Sequence, residues 1–112
     1  MGKEPVLAMP GGNSELLSQF IDWANSCKMR CRFDVAVEVE LGPPHDKQMA
    51  FIKFEDENNV TDITVWDSSE LEFEYLNALN NELSLWKYEE NIDASKLDEI
   101  CQPLLAKYLR AV

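Results

Sequence analysis

Few residues in this chain could do covalent chemistry. The single histidine, His45, lies in a Pro43-Pro44-His45-Asp46 run that reads as a solvated turn. A nucleophilic pair would need His45 beside Cys27, Cys31 or Cys101. Cys27 and Cys101 fall on apolar helical stripes, where buried thiols are inert. Cys31 stands between Arg30 and Arg32, which would favour a thiolate, but reactivity also needs a base and a shaped site. The Cys27–Cys31 spacing supplies two zinc ligands of the four a structural site needs. Glu55-Asp56-Glu57 lacks the alternation and glycine of a calcium loop. Glu72 and Glu74 share a strand face about 6.6 Å apart, which does not forbid paired-carboxylate chemistry, yet one sheet face offers no pocket for it. A chain without catalytic residues, metal or cofactor is therefore expected.

The stronger signal is binding chemistry. From Phe54 to Trp86 the chain carries nine acids (Glu55, Asp56, Glu57, Asp62, Asp67, Glu70, Glu72, Glu74, Glu82) and no lysine or arginine. Trp66 and Trp86 lie in the same stretch, and Tyr88 follows. Tryptophan and tyrosine anchor protein interfaces, and carboxylates meet lysine and arginine there. Asp62, Trp66, Glu72, Glu74, Trp86 and Tyr88 are the candidate partner-binding residues. The alternative is that a helix or a second subunit covers the aromatics, and a one-residue bulge would turn either tryptophan inward.

Those positions share a face only if the elements fall as the patterning predicts. Asn13 or Ser14 caps a helix over about 14–28, with Leu16, Leu17, Phe20, Ile21, Ala24 and Cys27 on its stripe and Trp23 at the edge. Phe33, Val35, Val37, Val39 and Leu41 alternate with Asp34, Ala36, Glu38 and Glu40 as a first strand. Three more follow at Gln48–Glu55, Val60–Asp67 and Leu71–Tyr75. Ala50, Ile52, Phe54, Ile63 and Val65 point inward, and Asp62, Thr64 and Trp66 outward. Asn77–Asn81 turns the chain into Glu82–Glu89, with Leu83 and Leu85 on one face and Trp86 and Tyr88 on the other. The last helix starts near Asp93 or Ser95, where Ser95-Lys96-Leu97-Asp98 resembles a capping box. Pro103 should kink or restart it. Short links between consecutive strands demand an antiparallel meander. The expected fold is α+β in two layers, with the order α-β-β-β-β-β-α.

Bulk properties narrow the partner. The chain has 112 residues, is 46% hydrophobic and carries a formal net charge of −11. One domain over 1–112 is expected, with 1–12 as a flexible lead-in. The acidity repels nucleic-acid phosphates and anionic membranes and favours a basic protein partner. Three cysteines make no disulfide framework, no signal peptide is visible, and a cytoplasmic protein is expected.

The stretches Asp62-Ile63-Thr64-Val65-Trp66-Asp67, Leu71-Glu72-Phe73-Glu74-Tyr75-Leu76, Leu85-Trp86-Lys87-Tyr88 and Leu97-Asp98-Glu99-Ile100 resemble the TriTu group of bacterial immunity proteins over roughly the last half of the chain. These accompany polymorphic toxins and contact-dependent inhibition systems. The resemblance implies a cytosolic monomer or weak dimer that binds and neutralises the C-terminal domain of a cognate toxin. It transfers no interface residue by residue. The competing class is an acidic secretion chaperone of the type III kind, which would dimerise and hold an extended effector segment.

Overall fold

A computed structural model describes residues 14–77 and 82–110, the side chains of 82–84 aside. The expected lead-in at 1–12 and most of the Asn77–Asn81 turn lie outside the described residues, as does the Leu83 side chain. The order is α1 (Ser14–Arg30), β1 (Ala36–Leu41), β2 (Met49–Glu55), β3 (Asn59–Trp66), β4 (Leu71–Asn77), β5 (Glu82–Glu89) and α2 (Leu97–Tyr108), the last entered through a 3-10 turn at Ala94–Lys96. The strands form one antiparallel sheet in sequence order, and both helices cover one of its faces. This is the two-layer α+β fold that the patterning predicts.

The core follows from two periodicities. Leu16, Leu17, Phe20, Ala24 and Cys27 bury one stripe of α1, and Leu97, Ile100, Cys101, Leu104, Leu105 and Tyr108 bury one stripe of α2. Ala50, Ile52, Phe54, Ile63, Val65, Leu71 and Phe73 meet them from alternate strand positions. Tyr108 stacks on Phe54 with ring centroids 4.9 Å apart. Its hydroxyl lies 2.8 Å from Thr61 Oγ1, which gives the one buried threonine of the sheet's inner face a partner.

Two local expectations are corrected and a third is narrowed. The first strand begins at Ala36 rather than Phe33. The chain just after α1 makes other bonds: Arg32 N–H donates to Tyr108 O (2.9 Å) and Arg110 N–H to Arg30 O (2.8 Å), which tie the helix ends together, and Val35 N–H donates to Arg32 O (3.2 Å) within a local turn. Phe33 is consequently 94% exposed, with the Arg110 guanidinium 5.4 Å from its ring. Ser95 is not a cap. Asp93 caps the 3-10 turn by accepting from Ser95 N–H (3.0 Å) and Ser95 Oγ, while Asp98 accepts from Trp23 Nε1 (2.8 Å) and joins the two helices. Of the two outcomes expected at Pro103, a kink or a restart, the restart does not occur: α2 runs unbroken from Leu97 to Tyr108. Pro103 and Glu99 both face solvent, so the carbonyl deprived of its donor meets water.

Candidate functional site

The sheet face opposite the helices carries the acid-and-aromatic set. Register places Asp62 beside Lys53 and Glu74, Glu72 beside Thr64 and Tyr88, and Glu74 beside Trp86. All six residues singled out in the sequence therefore share this outer face. A register shift does occur between Tyr75 and Leu76, so β5 carries an extra residue. It falls before Trp86 along β5, and Trp86 and Tyr88 still point outward. Trp86 is 52% exposed and Tyr88 38% exposed. Neither helix covers them. Trp86 Nε1 donates to Glu72 Oε2 at 2.8 Å, which fixes the indole against a carboxylate of the neighbouring strand β4. Glu74 is exposed, whereas Asp62 and Glu72 are half-buried.

Trp66 ends β3 at the rim of the same face. The turn after it is closed by Ser69 N–H to Trp66 O (3.0 Å) and Trp66 N–H to Glu70 O (2.9 Å), with Ser69 in the left-handed region at φ 69°. This turn sets Glu70 beside Trp66. Glu70 takes an ion pair from Lys47 and hydrogen bonds from the Ser68 and Tyr88 hydroxyls, and Tyr88 also reaches Glu90 (3.3 Å). Lys47 Nζ sits 5.3 Å from the Trp66 ring centroid.

The electrostatics record how crowded the acids are. Partial burial pushes the Asp62 carboxyl up, with Lys53 opposing and Glu38 adding to the rise. Glu40 is pushed up by a shared hydrogen bond with Glu38 and by its charge. Glu70 goes the other way, down to about 2, because Lys47, then Ser68, then Tyr88 donate to its charged form. Glu38, Glu40, Lys47 and Glu70 belong to this surface and were not among the predicted site residues. Strand parity alone could have added Glu38 and Glu40, which alternate with Val37, Val39 and Leu41. No local pattern marks Lys47.

The residues with covalent potential are not assembled. His45 is exposed in the β1–β2 loop, and its Nδ1 accepts from Lys47 N–H at 3.3 Å. Burial pushes the Cys27 thiol up to about 11 and Cys101 up to about 12. Cys31 also rises, because burial outweighs the pull of Arg30, Arg32 and Arg110. The expectation that flanking arginines favour its thiolate is thereby corrected. Among the described residues no group of three or more His, Cys, Asp or Glu is placed to hold a metal, and no helix is long and apolar enough to cross a membrane.

Fold and face together define a small two-layer α+β domain with an open, acidic, aromatic-studded sheet. The sequence profile of the family described as Immunity protein TriTu matches residues 18–107, and the chain belongs to that family. The match takes in most of α1 and all of β1 as well as the C-terminal stretches that carry the resemblance. Comparison with curated proteins and with solved structures gives no significant match.

Proposed function

We propose that this protein neutralises a cognate bacterial toxin domain by binding it through the outer sheet face, with no chemistry of its own. Membership of an immunity-protein family carries the reading. The face supplies the means: Trp66, Trp86 and Tyr88 are rigid anchors, and Asp62, Glu72 and Glu74 receive lysine or arginine from the toxin. A net charge of −11 suits a basic partner, such as a domain that attacks nucleic acid, and would steer the encounter. Occlusion of the toxin's site then suffices for protection. The protein would act in the cytoplasm of a cell carrying a polymorphic-toxin or contact-dependent inhibition system.

The test is co-expression with the toxin-like C-terminal domain encoded immediately upstream, following growth. Rescue together with co-purification of the two chains is expected. Arrested growth despite soluble, folded protein would overturn the reading.

A further inference from the structure

The acidic face already holds a cation, and that cation is the protein's own. Lys47 Nζ lies 5.3 Å from the centre of the Trp66 ring and pairs with Glu70. Four separate parts of the chain meet there: the β1–β2 loop brings Lys47, the end of β3 brings Trp66, the following turn brings Ser68 and Glu70, and β5 brings Tyr88. An aromatic face and a carboxylate side by side are the two groups that recognise an alkylammonium or guanidinium. The Ser68 and Tyr88 hydroxyls both donate to Glu70, so the carboxylate is oriented before any partner arrives.

Two features make Lys47 exchangeable. Its side chain is 49% exposed and that of Glu70 22% exposed, and solvent-exposed pairs are weak. The loop also keeps its shape without the ammonium. Gly42 N–H donates to Met49 O (2.8 Å), Gln48 Nε2 to Gly42 O (2.7 Å) and Pro43 O (3.1 Å), and Asp67 N–H to Gln48 O (2.9 Å). Gly42 is needed for that approach, since a Cβ there would come within 2.9 Å of Met49 Cγ.

We propose that Trp66, Glu70 and Tyr88 form a receptor for one lysine or arginine side chain of the toxin domain, which Lys47 occupies in the free protein and vacates on binding. The proposal rests on the reading that the outer face receives a basic partner. The occupant follows from charge complementarity: nine acids and no lysine or arginine between Phe54 and Trp86. An internal occupant lowers the apparent affinity for an external one by the fraction of time the site is free. Removing Lys47 therefore strengthens binding, whereas a Lys47 that merely ties two loops would leave binding unchanged or weaken it.

Tetralysine amide is the probe, titrated into the 15N-labelled full chain while the tryptophan indole N–H resonances are followed by NMR. Wild type should show a saturable shift of the Trp66 indole. Lys47→Ala should bind roughly two- to fivefold more tightly, the factor an exposed cation–π contact is worth. Glu70→Gln should bind more weakly. Lys53→Ala removes the same charge elsewhere on the face and controls for net charge. An unmoved Trp66 indole, unchanged or weaker binding by Lys47→Ala, or an equal gain in Lys53→Ala overturns the receptor. Movement of the Trp86 indole alone also overturns it while leaving the broader face intact. Failure of growth rescue would instead bear on the toxin reading and not on this titration.

Discussion

At the residue scale, environment outweighs local sequence. Cys31 has arginine on both sides, yet the tie between the two helix ends buries it, and desolvation of the thiolate wins. Cys27 and Cys101 are pushed further, to about 11 and about 12, by the core they help to fill. The sign of the linkage follows. These pKa values lie above the unfolded value of 9.0, so the stability they contribute is complete below pH 9 and is lost as pH rises towards 11 and 12. At pH 8 a disulfide reagent such as Ellman's should leave all three thiols of native protein nearly untouched and titrate all three in guanidinium. Rapid reaction of one thiol in the native state would contradict the burial described here. Glu70 shows the converse case: three donors hold a surface carboxylate charged down to about pH 2.

At the element scale, periodic segments were legible from sequence and their junctions were not. Period two located β2 to β5 and sorted the faces of β2 to β4 and of β5 from Leu85 onward, past the register shift, so Asp62, Trp66, Glu72, Glu74, Trp86 and Tyr88 were assigned to one side correctly. Phe33 and Val35 continue the same alternation, but Arg32 just before them is held by hydrogen bonds to Lys107 and Tyr108, about 75 positions distant, and Val35 N–H turns back to Arg32 O; no local window contains those distant partners. Of the two starts offered for the last helix, Asp93 takes the capping role and Ser95 supplies the donor it accepts from. The Lys47–Glu70–Tyr88 cluster joins a loop, a turn and an edge strand, and only the assembled sheet brings them together. Tyr108 fastens α2 to the sheet: it stacks on Phe54 and shares a buried hydrogen bond with Thr61. Tyr108→Phe keeps the stack and strands the Thr61 hydroxyl. It should cost about 1–3 kcal/mol of unfolding free energy in a urea titration. An unchanged midpoint and slope would show that the Thr61 contact contributes nothing.

At the scale of the whole molecule, charge is segregated. Half of the ten lysines and arginines (Lys28, Arg30, Arg32, Lys107, Arg110) collect where the C-termini of α1 and α2 meet. Positive side chains there offset the exposed carbonyl ends of both helices. The outer sheet face is left with Glu38, Glu40, Asp62, Glu72 and Glu74 around Lys53, with Glu70 and Lys47 at its rim. A cationic surface would meet its own sign on the other side of such a molecule and the opposite sign on this face, which would favour a defined orientation on encounter. The apolar contribution to affinity would come from the two indoles, 52% exposed at Trp86 and half-buried at Trp66. Neither belongs to the core, so both can be removed without opening a cavity. The most direct test is the dissociation constant of the toxin domain for wild type and for the double variant Trp66→Ala/Trp86→Ala, with folding verified by circular dichroism. A loss of at least about 2 kcal/mol, some 30-fold in Kd, is expected. Equal affinity in a correctly folded double variant would place the interface elsewhere on the molecule.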